Sequence, residues 1–410
     1  MNHNNQNKTG YKHTPLGWIP EEWGIELLDN LVKRGSGHTP DKAFNNYYNG
    51  GIKWVSLADS FRLDNRLISE TEIEISNEGI IKSSAVLHPK GTVLMSRDAG
   101  IGKSAVMAID MAVSQHFITW TCNGKLDNWF LYYWLQLKKE FFERQAVGST
   151  IKTIGLPLFK KLKIINPPLT EQIKIAAILF TWDEAIAKTQ QLIGQLQQRN
   201  IGLTQRLLKP KKDWVEVKMS YVFERVTKKN IEGNQNVVTI SAQRGFVKQD
   251  DFFKKIIASD ILDNYFLVER GEFCYNKSYS NGYDWGAIKR LNDFDKAVVT
   301  SLYICFRLID NTSFSGNFFE HFFESGKLEN GLSKIAHEGG RAHGLLNVTP
   351  TDFFNLKIII PELSEQNRIE KILQAATSEL KLHQQQLVTL QQQKKGLMQK
   401  LLTGEIRVKI

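Results

Sequence analysis

The chain has 410 residues, 42% hydrophobic and 23% charged, which is the balance of a globular protein long enough for two domains with separate cores. No run of eighteen apolar residues occurs and the polar opening MNHNNQNKTG has the form of neither a signal nor a transit peptide, so a membrane role is not expected and the cytoplasm is the simplest address. The net charge of +10 suggests an acidic partner. It is unevenly spread: residues 1–168 carry 20 basic and 16 acidic side chains, 169–212 carry 7 and 3, 362–410 carry 8 and 5, while 213–361 are balanced at 18 and 19. Nucleic acid, if bound, must therefore meet local clusters and not a uniformly basic face.

In chain order, residues 1–14 read as a disordered tail and 15–168 as a first globular domain opened by Trp23. Short β-branched runs punctuated by Gly and Asn predict strands and loops with few helices. The stretch RDAGIGKS (97–104) ends like a phosphate-binding GxxxxGK[ST] loop, but Arg97 stands where the first glycine belongs, so a basic hairpin loop is expected instead. At 162 the run LKII predicts a short strand. NPPL (166–169) then resembles the Asn-Pro-Pro-aromatic loop of base methylases, but Leu169 offers no aromatic face for a flipped base, and a turn before a helix is the reading that remains.

Residues 169–209 predict a long helix with Thr170 as N-cap and Glu171 just inside. Ile175, Leu179, Trp182, Ile186, Thr189, Ile193, Leu196, Asn200, Leu203 and Leu207 follow steps of four and three, a heptad seam sustained for more than four heptads. After the basic linker KPKK (209–212), Trp214 opens a second globular domain over 210–361, and residues 362–410 predict a second long helix and C-terminal tail, with Ser364 as N-cap. Its seam is Ile369, Leu373, Ala376, Leu380, His383, Leu387, Leu390, Lys394, Leu397 and Leu401.

The second half repeats the first. A shift of 194 residues aligns 154–208 with 348–402 without a gap, matching Glu171 with Glu365, Gln172 with Gln366, Ile175 with Ile369 and Leu207 with Leu401. Both seams are interrupted by polar residues at the same steps, Thr189/His383 and Asn200/Lys394, which sacrifices stability for register. The economical arrangement is an antiparallel pair of rods, each roughly 58 Å for 39 residues, with a pseudo-two-fold axis. The globular parts echo each other more faintly. LHPKGTVLMSR (87–97) aligns with LVERGEFCYNK (267–277), pairing Gly91 with Gly271 and Arg97 with Lys277; VSQHFI at 113 aligns with VTSLYI at 299, and FLYYWL at 130 with FFEHFF at 318. The fold class expected is α+β: two similar globular domains and two long helices.

Catalytic chemistry finds no support. Cys122, Cys274 and Cys305 have no CxxC spacing and read as small core residues; HEGGRAH (337–343) lacks HExxH spacing; no carboxylate cluster with a lysine marks a nuclease. What remains are basic, amide and aromatic side chains in predicted loops: His38, Thr39, Lys42, Lys53, Arg97, Lys103, Gln115 and His116 in the first half, and Arg244, Lys277, Tyr279, Asn281, Tyr283, Arg341 and His343 in the second. Arg, Lys, Asn and Gln are the types that contact base edges, and the glycines beside Arg341 and His343 would let backbone approach phosphate. A coiled-coil scaffold joining protein partners without touching DNA is the alternative.

From about residue 15 to the C-terminus the chain resembles the specificity subunits of type I restriction-modification systems, through GWIPEEW, GHTPDK, NNYYNGGIKWVSLAD, HPKGTVLMSRDAGIGKSAV, the paired PPLTEQ and PELSEQ helix starts and the ending LMQKLLTGEIRV. The resemblance implies two target recognition domains, each reading half of a bipartite sequence in double-stranded DNA. It also implies long helices that dock two modification methyltransferase subunits, with two restriction motor-nuclease subunits joining for cleavage. This chain would be non-catalytic and bind no cofactor, S-adenosylmethionine, ATP and Mg belonging to the partners.

Overall fold

The computed structural model describes residues 9–148, 152–249, 262–338 and 346–409. It divides into two compact units, Met1–Gln190 with Gln385–Ile410, and Gln191–Gln384, so that each unit holds one globular domain and a stretch of each long helix.

In the first unit the alternating apolar runs form a five-stranded sheet in which Val32–Ser36, Phe117–Cys122, Val93–Ser96, Ser104–Met107 and Leu67–Ile68 are neighbours in that order. A second sheet joins Ile73–Ile75, Tyr48–Val55, Met111–Val113 and Leu87–His88. The second unit repeats the scheme: Phe223–Val226, Ile304–Leu308, Phe273–Asn276 and Ala287–Arg290 form its main sheet in the same order. Even the parallel contact of Trp54 with Ala112 has a counterpart in the bridge between Val237 and Val298. The sequence alignment of the domains is thus an alignment of strands. Gly91 and Gly271 occupy the same turn with φ of 83° and 93°, where a side chain would be strained, and their amides bond Met107 and Leu291 carbonyls at 2.8 Å in both cases.

Each domain core lies between its main sheet and a helix rich in aromatics, Asn128–Leu137 in the first and Gly316–Glu324 in the second. Asp127 and Ser315 cap these helices by accepting from the amides of Phe130 (2.8 Å) and Phe318 (3.1 Å). Trp23 and Trp214, which open the two domains, are both core residues.

The long helices are Leu169–Leu207 and Leu363–Leu402, continuous through 39 and 40 residues. They start one residue earlier than the expected caps. The amides of Glu171 and Gln172 bond the Pro168 carbonyl, and those of Glu365 and Gln366 the Glu362 carbonyl, so Thr170 and Ser364 lie inside the first turn and the proline-marked turn itself closes the helix end. The heptad seams are the covered faces: every seam residue is buried or half-buried, while the intervening Lys381, Leu382, Gln384, Gln385, Gln386, Val388 and Thr389 are exposed.

Pairing is antiparallel within each unit. In the first, Ile175 and Leu179 share a core with Leu397, Met398 and Leu401, and Lys394 reaches Asp183 at 2.6 Å. In the second, Leu203, Leu207 and Leu208 pack with Ile369 and Leu373, Asn200 Nδ2 donates to the Ala376 carbonyl at 3.0 Å, and Arg199 meets Glu379 at 2.7 Å. Of the polar seam residues, Asn200 and Lys394 therefore make cross-helix bonds, whereas Thr189 bonds back to the Ala185 carbonyl of its own helix.

The expected N-terminal tail needs correction over its last part. Tyr11–Thr14 is a strand paired with Gly17–Pro20, and Tyr11 Oη donates to the Gly404 carbonyl at 2.8 Å. This hairpin buries Ile19 and Pro20 beside Trp23, which is the apolar reason it folds.

Candidate nucleic-acid interface

The two helix starts explain the repeated Glu-Gln pair. Gln172 and Gln366 are each 1% exposed. Gln172 accepts from the Asp127 amide (2.8 Å) and donates to the Pro167 carbonyl (2.8 Å); Gln366 accepts from the Ser315 amide (2.9 Å) and donates to the Pro361 carbonyl (2.9 Å). The same side chain thereby pins the aromatic helix of each domain to its long helix. Glu171 is fully buried, taking Trp23 Nε1 at 3.0 Å and Arg407 at 2.7 Å. Glu365 is more open. Arg368 and Lys211, both at 2.6 Å, hold its carboxyl down at about 2, and Trp214 Nε1 has no partner.

On the first domain the structure brings Thr39, Arg97, Gln115 and His116 together. Thr39 Oγ1 donates to Gln115 Oε1 (2.7 Å), Gln115 Nε2 lies 3.5 Å from His116 Nε2, and His116 Nδ1 meets Asp98 Oδ2 at 2.5 Å. The other Asp98 oxygen takes the Thr153 hydroxyl, Arg97 Nε lies 3.8 Å away from it, and the Arg97 amide bonds the His116 carbonyl at 3.0 Å. Adjacent to Asp98, the glycine loop between strands Val93–Ser96 and Ser104–Met107 is the basic hairpin loop expected there. It lines a cleft with Lys103, Lys139, Lys152 and Glu143. His38 and Lys42 are exposed on the same loop as Thr39.

Two first-domain candidates are less available. Lys53 is tied to Glu70 (2.7 Å) and Glu74 (2.9 Å), and Lys103 to Asp64 (2.7 Å), so phosphate would have to compete with carboxylates already in place. Residue-type reasoning missed Asp98, Thr153, Lys139 and Lys152. Asp98 stands in the singled-out loop, but an acidic residue is not an obvious DNA contact, and its use appears only when His116 and Thr153 close on it.

On the second domain Arg244 and Gln243 are exposed in the turn joining Val238–Ser241 to Gly245–Lys248, and Gln243 Nε2 donates to the Asn281 carbonyl at 3.0 Å, bringing this turn to the loop that carries Tyr279 and Asn281. Tyr279 is 59% exposed. Lys277 occupies the place of Arg97: their carbonyls accept from Leu346 (2.8 Å) and Ile154 (2.9 Å). Partial burial, helped by the Arg225 charge, pushes the Lys277 ammonium below its ordinary range. Tyr283 is committed elsewhere, its hydroxyl donating to Glu324 (3.0 Å) and accepting from Lys289 (3.2 Å). Arg341 and His343 lie outside the described residues. Among the described residues there is no group of three or more His, Cys, Asp or Glu poised for a metal ion, and no helix long and apolar enough to cross a membrane.

The model of the type I restriction modification DNA specificity domain matches twice, over residues 20–198 and 211–392. The chain is 22% identical to the type I restriction enzyme MjaVIII specificity subunit of Methanocaldococcus jannaschii over 95% of this chain and 94% of the relative. To the MjaIX specificity subunit of the same organism it is 28% identical over 44% of this chain and 42% of the relative. Among solved structures, the S subunit from M. genitalium superposes with TM-score 0.53 at 15% identity over 92% of this chain and 96% of that one. The HsdS subunit from Thermoanaerobacter tengcongensis superposes with TM-score 0.52 at 16% identity over 95% and 98%. With two matched domains filling most of its length, the chain belongs to the type I restriction-modification DNA specificity family and is a specificity subunit, the non-catalytic component of such a system.

Proposed function

We propose that this subunit reads a bipartite, asymmetric sequence in double-stranded DNA, one domain per half-site, and docks two modification methyltransferase subunits on its long helices, with restriction subunits joining for cleavage in the cytoplasm. The observation that carries the reading is the contrast between joint and loops. Gln172 and Gln366 make the same two backbone bonds in both units, whereas the loops differ in chemistry beyond the shared cation at Arg97 and Lys277, Asp98 and His116 of the first corresponding to Ser278 and Leu302 of the second. A mount repeated within the chain, with loops that diverge, is what reading two different sequences by one method calls for. Chemistry on the base, with S-adenosylmethionine, ATP and Mg, falls to the partners.

Readers approaching one face of DNA sit about a helical turn apart, roughly 34–36 Å, and a helix of 39 residues, roughly 58 Å, has the length to set that spacing. The test is to map modified bases in DNA from cells that express the chain with its cognate modification subunit. Removing one heptad from Leu169–Leu207 is expected to change the tolerated spacer or abolish assembly and to leave both half-sites as they were. Altered half-sites with an unchanged spacer would refute the division of labour.

A further inference from the structure

We propose that Gln115 is the base-reading side chain of the first domain, that it reads an adenine, and that Asp98 is the positioning residue which fixes it through His116; this rests on the DNA-reading role proposed above. The amide of an exposed glutamine ordinarily turns freely. Here both of its ends are held: Oε1 accepts from Thr39 Oγ1 at 2.7 Å, and Nε2 lies 3.5 Å from His116 Nε2. His116 is held in turn. Its Nδ1 faces Asp98 Oδ2 at 2.5 Å, a contact that needs the proton on Nδ1; in the neutral ring Nε2 is then the acceptor for the glutamine amide.

Asp98 is 6% exposed, and its second oxygen is taken by Thr153. Both oxygens are thus used inward, so the carboxylate presents neither to the surface that must face phosphate. The glutamine keeps one acceptor lone pair on Oε1 and one N–H on Nε2 for an outside partner, on an exposed side chain. That donor-acceptor pair complements N7 and N6 of adenine in the major groove, and Thr39 and His116 already meet part of the cost of ordering the side chain. Arg97, whose amide bonds the His116 carbonyl at 3.0 Å, lies beside the cluster for a phosphate or a neighbouring base. The second domain has Ser301 and Leu302 where the first has Gln115 and His116, with Leu302 58% exposed, so it cannot build the same chain of contacts.

The experiment selects duplexes randomised in both half-sites with the full chain bound to its cognate modification subunit, at one fixed salt concentration. Gln115→Ala is expected to flatten the preference at one A·T pair of one half-site and to weaken binding of the best wild-type sequence about ten- to a hundredfold, with the other half-site unchanged. Thr39→Val, which exchanges the hydroxyl for a methyl group, and Asp98→Asn are expected to relax the same position about three- to tenfold, without altering the salt dependence that reports phosphate contacts. A Gln115→Ala library that enriches the same bases as strongly as wild type overturns the proposal, as does loss of preference at a G·C pair. Asp98→Asn lowering affinity equally for every sequence overturns the positioning role. Wild type that enriches no sequence would instead overturn the DNA-reading role itself.

Discussion

The two units solve the same joint with different chemistry. In the first, the glutamate beside the anchoring glutamine is sealed: Glu171 takes an indole N–H and a guanidinium. In the second, Glu365 sits nearer solvent with Lys211 and Arg368, and its tryptophan makes no bond to it. The seam differs likewise: Lys394 makes a half-buried ion pair with Asp183, whereas Asn200 bonds a backbone carbonyl and the ion pair beside it, Arg199 with Glu379, is exposed. Only the glutamine makes the same backbone bonds in both, Gln172 adding one to the Asn166 side chain. The difference shows which part of the repeat is constrained by geometry and which part drifts once any adequate partner is at hand.

The comparison can be broken most forcefully at the seam. Lys394→Met leaves Asp183 covered and short of its cation, although Tyr133 Oη still donates to it at 2.7 Å; the loss expected is about 2–4 kcal/mol. Asn200→Ala removes the cross-helix bond to the Ala376 carbonyl and the exposed bonds accepted from its neighbour Arg199, and should cost about 1 kcal/mol. Denaturant unfolding of the two variants measures both, and equal losses would contradict the asymmetry. At the joint the opposite is expected. Gln172→Ala and Gln366→Ala each strand a buried amide and a buried carbonyl, so both should lose about 2–3 kcal/mol, and a difference larger than about 1 kcal/mol would end the equivalence.

The smallest effect sharpens the contrast between the glutamates. Glu171→Gln should cost about 2 kcal/mol at pH 7, and Glu365→Gln about 0.5 kcal/mol, because the latter group is half open to water. The Glu365 carboxyl is depressed in the folded chain, so its contribution is complete above the usual carboxylate range near 4.5 and is lost as pH falls toward about 2. Melts of Glu365→Gln and wild type should therefore converge over that window; a gap that persists at its acid end would assign the effect to packing.

The seams, the two helix starts and the pairing of Gly91 with Gly271 were legible because each is a periodic or local pattern that a fixed shift exposes. Tyr11–Thr14 was not: its partner strand Gly17–Pro20 is close by, but the contact that ties this polar stretch down is with Gly404, 393 positions away from Tyr11. The loops were half legible. Gln115 and Thr39 stand out by residue type, but 76 positions separate them, and Lys53 and Lys103 look identical to free cations until Glu70, Glu74 and Asp64 arrive beside them. Residue type tells what a side chain can do, and only the fold tells what it is already doing.

Both anchoring glutamines speak chiefly to main-chain atoms, an amide at the start of the aromatic helix and a carbonyl before the long one. A socket that asks its guest for a peptide group, and not for any particular side chain, accepts any insert of the same backbone. New sequence preferences can then arise by exchanging whole loops or whole heads between relatives, with the fitting left untouched.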